Sequence, residues 1–188
     1  MEKSIRRVKS KIVYRGYVVD LSVDTYRANG DTFLRETIQQ PASVVILPIL
    51  PDGRIVLIRQ FRHAVGRFIY EIPAGTSEPG EPLLRCAKRE LAEETGYSAS
   101  RWRRVCRFYP APGISTERMV LYVARGLKPS NEKAAMDEDE YITLRIVSAR
   151  EALELVQTNQ IVDAKSIIGI LWGLNRIRWR LKVSGNKS

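Results

Sequence analysis

Histidine and cysteine are nearly missing from this chain, whose 188 residues hold one histidine and two cysteines. A lone His63 argues against a multi-histidine zinc centre and against a Ser-His-Asp triad. Cys86 and Cys106 lack C-x-x-C spacing and read as small core residues rather than a disulfide or a metal pair. No apolar run approaches the roughly 18 residues that a membrane-spanning helix needs. The opening stretch Met1 to Arg7 lacks the apolar segment of a signal peptide, and the cytoplasm is the expected location. Internal repeats and low-complexity segments are absent as well. Acid is the scarcer charge: 21 Asp and Glu face 31 Lys and Arg, leaving a net charge of +10. Such a balance draws anions, nucleotides and nucleic acid alike.

What is present fits a soluble globular chain, 44% hydrophobic and 28% charged, long enough for one domain with a sizeable core. Lys11 to Arg27 is rich in β-branched and aromatic residues and reads as one long strand or a hairpin arm. Asn29-Gly30-Asp31 is a turn signal, with a return strand over Thr32 to Gln39. Ser43 to Leu50 is continuously apolar, as buried strands are. Arg54 to Phe61, Ile69 to Ile72, Trp102 to Phe108, Arg118 to Ala124 and Tyr141 to Val147 are further strand candidates. Ser148 and Glu151 form a capping box that opens a helix through Val156, and Ala164 to about Arg180 carries apolar residues at helical spacing. A mixed sheet covered by helices follows, an α/β class.

The chemistry concentrates in one stretch. Pro82 suits a first helical turn and Gly96 a stop, so 82–95 is predicted helical. At about 100° per residue, Leu84, Ala87 and Leu91 fall together with Leu83 beside them, while Arg85, Lys88 and Ala92 take the solvated side. Glu90 and Glu94 flank the apolar stripe and Glu93 lies one step further round. Two carboxylates about 4 Å apart repel by roughly 4 kcal/mol at an effective dielectric near 20. Protonation or a cation relieves that cost, and carboxylates at i, i+3 and i+4 suit hard divalent ions such as Mg²⁺. Arg89, four residues before Glu93, is placed to brace it. From spacing alone the same residues also read as an ordinary charged helix face laced by Arg and Lys.

The stretch resembles the Nudix box, G-x5-E-x7-R-E-U-x-E-E-x-G-U, with U a bulky apolar residue. Gly75, Glu81, Arg89, Glu90, Leu91, Glu93, Glu94 and Gly96 match in register, eight positions over 23 residues, and aromatic Tyr97 is the one soft departure. The flanks are similar to the ADP-ribose pyrophosphatase subfamily. Glu71-Ile72-Pro73-Ala74-Gly75 resembles its E-I/L-P-A-G lead-in, Gln60-Phe61-Arg62 its Q-Y/F-R segment, and Arg35-Glu36 its R-E pair. Tyr109-Pro110-Ala111-Pro112-Gly113 resembles its Y-P-S-P-G loop, with Pro112 15 residues beyond Tyr97.

The resemblance implies a Nudix-type α/β/α sandwich with a mixed β-sheet and an N-terminal antiparallel strand extension. It divides the chain into an extension at 1–40, serving dimerisation and the adenine side, and a hydrolase domain at 41–188. It implies Mg²⁺-dependent hydrolysis of ADP-ribose to AMP and ribose 5-phosphate, with Mn²⁺ or another divalent ion as an alternative. Glu90, Glu94 and the carbonyl of Ala74 would hold metal, with Glu93 directly or through water and Glu140 at a further position. Glu138 falls at the position of the base, and Glu138, Glu93 and Arg89 make the expected catalytic set. Read without the resemblance, Glu138 and Glu140 belong to an acidic solvated loop. Arg35 and Arg62 would grip the adenylate end or its phosphates, Glu117 the terminal ribose, and Pro112 the substrate loop. Tyr17 would stack on adenine across a homodimer. Bland readings stand beside these: Arg35 and Arg62 as strand-edge cations, Pro112-Gly113 as a simple turn, Tyr17 as a packed strand aromatic.

Other substrates of the family (nucleotide sugars, flavin adenine dinucleotide or NADH) remain open. The tail Asn175 to Lys182 interleaves cations with an aromatic, as nucleic-acid binders do. It reads better as a helix end whose cations favour the dipole, so neither nucleic acid nor a membrane is the expected partner.

Overall fold

The computed structural model describes residues 4–130 and 141–184, with side chains described as far as Leu174. The chain forms two compact units, one running to Ala42 and including Phe108–Arg118, the other holding Ser43–Arg107 and the chain from Met119.

In the first unit β1 (Ile5–Arg15), β2 (Asp20–Ala28) and β3 (Asp31–Gln39) form an antiparallel sheet in that order. Asn29 at φ 53° and Gly30 at φ 90° make the β2–β3 turn, as the Asn-Gly signal predicted. The run 11–27, read as one long strand or one hairpin arm, is instead divided between the paired strands β1 and β2. The run breaks at Gly16, whose N–H donates to the Val19 carbonyl at 3.0 Å. A Cβ on Gly16 would stand 2.8 Å from that oxygen, so the turn requires glycine. The loop around Pro112 lies along β3. The Ile38 N–H donates to the Ile114 carbonyl at 2.7 Å, and the Thr116 N–H returns to the Ile38 carbonyl at 3.0 Å.

In the second unit β4 (Ser43–Ile49), β5 (Ile55–Arg62), β8 (Tyr97–Phe108), β9 (Met119–Pro129) and β10 (Ile142–Val147) order as β10-β5-β4-β9-β8. β6 (Arg67–Glu71) joins β5, and β7 (Ala74–Thr76) joins β4. β4 pairs parallel with β9 and antiparallel with β7, so the sheet is mixed. Every residue of β4 is buried, which its uninterrupted apolar run requires.

Strand alternation then assigns the layers. Val44, Ile46, Val120, Tyr122 and Ala124 pack with Cys86, Ala87 and Leu91 of α1 (Leu83–Thr95). Their neighbours Leu47, Leu121 and Val123 point the other way, and meet Gly169 and Gly173 of α3 (Ala164–Ser184). The sheet is therefore covered on opposite faces, the expected α/β/α sandwich. α2 (Ala149–Gln157) packs on α3, and its Ser148 hydroxyl accepts the Glu151 N–H at 3.0 Å, as the capping box predicted.

Several local expectations change. Pro82 is the N-cap of α1, at φ −62° and ψ 132°, rather than a first-turn residue. Leu84 is exposed and Ala92 buried, the reverse of the helical-wheel reading. The packed stripe runs through Leu83, Cys86, Ala87 and Leu91, because Ala99 and Trp102 of β8 line the same cleft as Ala92 and cover that flank. β7, at three residues, is too short to leave a periodic signal. Among the described residues no helix is long and apolar enough to cross a membrane.

Candidate active site

β7 and α1 together present the box residues. Gly96 caps α1 in the left-handed region at φ 68°, its N–H on the Ala92 carbonyl, so the helix stops at Thr95. Near that end Glu94 is buried, and its Oε2 accepts the Ala74 N–H at 2.9 Å, tying helix to strand. One turn earlier Glu90 lies over Gly75. A Cβ at residue 75 would come within 2.0–2.3 Å of the Glu90 carboxylate atoms, so Glu90 keeps this position only over glycine.

Arg89 holds the acids. Its Nη1 donates to Glu90 Oε1 at 2.8 Å and to Glu93 Oε2 at 2.9 Å. Its Nε and Nη2 donate to the Glu81 carboxylate at 3.2 and 3.1 Å, and Nη2 also reaches the Thr76 carbonyl at 3.2 Å. The bonds to Glu81, with Glu90 and Glu93 adding, raise the Arg89 pKa further, and the same guanidinium holds the Glu81 carboxyl below its usual value. Burial, then the charges of Glu90 and Glu81, push the Cys86 thiol up to about 12. Spacing suggested carboxylates relieved by protons or a cation. In this structure a guanidinium offsets Glu90 and Glu93, and among the described residues no three His, Cys, Asp or Glu side chains stand together as a preformed metal cage. The donors are nonetheless all oxygen, with Glu94 fixed by a backbone amide, and that chemistry fits a hard divalent cation that takes the place of Arg89 at the two half-buried acids.

A family model described as NUDIX domain matches residues 39–167. The chain belongs to the Nudix family. It is 37% identical over 170 residues to an ADP-ribose pyrophosphatase of Bacillus subtilis (strain 168), covering 90% of each chain. It is 36% identical over 166 residues to the methanol dehydrogenase activator of Bacillus methanolicus, covering 88% of this chain and 90% of that one. The crystal structure of an ADP compounds hydrolase superposes with a TM-score of 0.81 at 22% identity, covering 96% of both chains, which establishes the shared Nudix fold.

The remaining expected Nudix residues fall in three places. Arg62 donates from Nε and Nη2 to the two oxygens of buried Glu71, at 2.6 and 2.7 Å. The guanidinium edge expected to meet phosphate is thus engaged by a carboxylate. Those bonds, more than the nearby Glu94 and Asp163 charges, raise the Arg62 pKa.

Arg35 and Pro112 meet in a groove of about 500 Å³ in the first unit, lined also by Tyr26, Phe33 and Glu36. Arg35 lies 4.7 Å over the Phe33 ring, which stacks on Tyr26 at 5.9 Å. In the same unit the Glu117 N–H donates to Ser115 Oγ at 3.0 Å, and Tyr17 stands fully exposed in the β1–β2 turn. Glu138 and Glu140 lie outside the described residues.

Sequence reasoning missed the polar group behind Arg62. Lys165 bonds Glu71 from the other side and Asp163 at 3.0 Å, while Ser166 Oγ donates to Asp163 and accepts the Ile72 N–H at 2.9 Å. The Asp163–Ser166 cap was legible as an aspartate three residues before a helical serine. The Glu71–Lys165 pair, 94 residues apart, left no local trace.

Proposed function

We propose that this Nudix enzyme hydrolyses the pyrophosphate of ADP-ribose, giving AMP and ribose 5-phosphate, with Mg²⁺ as its cofactor. The observation that carries this reading is the convergence on β7 and α1 of buried Glu94, tied to the Ala74 N–H, with Glu90 over Gly75 and Glu93, the last two sharing Arg89 as partner. The names of its relatives, over nine-tenths of the chain, support ADP-ribose as the substrate.

Glu90, Glu94 and the Ala74 carbonyl are the proposed ligands, with Glu93 directly or through water and Glu140 beyond. A divalent cation held there supplies positive charge to phosphate oxygens and lowers the pKa of a bound water. Without it the glutamates repel the substrate's pyrophosphate. Glu138 is the proposed base and takes the proton of the attacking water. The water oxygen bonds to one phosphorus as the bridging P–O bond breaks, releasing two phosphomonoesters. Glu93 and Arg89 complete the catalytic set, Arg89 by holding the acids in position.

For substrate, the groove joining Arg35 and Pro112 beside the Tyr26–Phe33 stack is suited to a purine and its phosphate, by cation, ring and edge. Arg62 and Glu117 keep their proposed roles toward the phosphates and the terminal ribose. Residues 1–40 serve as the extension and 41–188 as the hydrolase domain. We further assign a homodimer in the cytoplasm, with Tyr17 turned to the partner's adenine. Ile12, Val13, Tyr14 and Val18 are exposed along and beyond β1, an apolar edge that a second copy would cover.

The test is turnover of ADP-ribose with and without Mg²⁺, products read by chromatography, against a panel of GDP-mannose, flavin adenine dinucleotide and NADH. AMP and ribose 5-phosphate, formed only with metal and with the highest kcat/KM in the panel, are expected. A higher kcat/KM for another panel member would reassign the substrate.

A further inference from the structure

A second groove lies among α1, β8 and β9. It has a volume of about 600 Å³ and is lined by Arg85, Lys88 and Arg89 of α1, Trp102 of β8 and Lys128 of β9. A cavity of that volume falls in the range of small-molecule sites. Among the described residues, the ion pairs of α1 all converge on Arg89, and none takes the side chains of Arg85, Lys88 or Lys128. Three cations therefore face one cleft with no carboxylate lining it. Like charges held together in a groove favour any anion that enters.

The fourth wall is aromatic and rigid. The Trp102 indole N–H donates to the Ala99 carbonyl at 3.0 Å, and the ring stands edge-on to Tyr122 at 6.3 Å and 76°. With its polar atom satisfied inside the protein, the indole offers the cleft an apolar surface and loses little freedom when a ring is laid on it.

We propose that this groove is a second binding site, for a phosphomonoester that carries a ring: the phosphate among Arg85, Lys88 and Lys128, the ring against Trp102. A guanidinium fork matches phosphate oxygens, two ammonium groups add charge, and the indole distinguishes a nucleotide from free phosphate. That the proposed reaction releases such a compound, AMP, rests on the hydrolysis reading; the site itself does not.

Binding is measured by calorimetry on the full chain after chelation of divalent metal, so that no turnover enters. In the Arg35→Ala variant, which disables the other proposed groove, AMP is expected to bind saturably at one site, and inorganic phosphate about tenfold more weakly for want of a ring. Lys88→Glu with Lys128→Glu should weaken AMP by about tenfold or more, the loss of at least one charge-assisted contact. Arg35→Ala acts on the other proposed groove and should leave the affinity of this site unchanged. No saturable binding overturns the proposal, as does equal affinity for AMP and phosphate, or binding lost in Arg35→Ala but kept in the lysine pair. Both lysines are exposed, and thermal melts check that the variant folds. Should it melt early, Lys88→Gln with Lys128→Gln gives the same reading. Loss of ADP-ribose turnover, by contrast, would leave this measurement unaffected.

Discussion

Two residues carry the sharpest consequences. Glu94→Gln keeps an oxygen for the Ala74 N–H but loses the charge, so the fold should survive. Turnover of ADP-ribose should fall on the order of a hundredfold or more, as removal of support to a metal site does. Near-wild-type turnover at saturating Mg²⁺ would remove Glu94 from the metal set. Gly75→Ala is the complementary change on the strand. Its Cβ would occupy the place of the Glu90 carboxylate, with contacts of 2.0–2.3 Å. The acid must move by about an ångström, and displacements of that size cost about a hundredfold in rate. The melting temperature should change little, since Glu90 is only partly buried and its carboxylate can swing outward. Full activity in Gly75→Ala would show that the position of Glu90 is not critical.

The link between α3 and the strand before Ala74 is ionic as well as apolar. Glu71 is fully buried between Arg62 and Lys165, and Lys165 is itself nearly buried. Burial opposes ionisation of Glu71, but the hydrogen bond from Arg62 and the charges of Lys165 and Arg62 outweigh it, so the carboxyl stays below its usual value. Breaking such a pair leaves an uncompensated charge and costs about 3–5 kcal/mol. Glu71→Gln should lower stability by that order in denaturant titrations, and adding Lys165→Met should recover part of it. If the double variant is less stable than the single by the full additive amount, the two residues are not coupled.

For the molecule as a whole, the pKa directions set the acid limit. Glu71 and Glu81 both titrate below their ordinary values in the folded chain. Their contribution is complete above the unfolded carboxylate range, about 4.3, and is lost as pH falls through the lower folded values. Stability should be flat from neutral pH to about 5 and then decline in acid. Denaturant midpoints that rise between about pH 5 and 3 would contradict the assignment. The net charge of +10 acts at longer range. It should steer an anionic substrate, so kcat/KM for ADP-ribose is expected to fall as salt shortens the Debye length to about 8 Å near physiological strength. A salt-independent kcat/KM would exclude steering.

The box was legible because its chemistry is local. Gly96 must be left-handed, Arg89 and Glu93 lie one turn apart on one helix, and the β4 run is apolar throughout, so each follows from neighbours in sequence. The reason for Gly75 was not legible, since it lies in a contact with Glu90 across 15 positions. Nor were the burial of Ala92, which depends on β8, the Gly16 break, which depends on the return of Val19, or the pairing of Lys165 with Glu71. Arg62 shows the limit most plainly: its type suits phosphate, while its geometry shows it held by a carboxylate.

By itself, then, the chain's order of residues determined the helix of glutamates, its stop, the buried strand and the family, because dihedral preference and periodicity act over a few positions. Only the tertiary structure decided which acids Arg89 neutralises, which strand Glu94 grips and which cations are left facing an open cleft. Those outcomes depend on distances between segments far apart in the chain, and Coulomb and packing energies are functions of those distances.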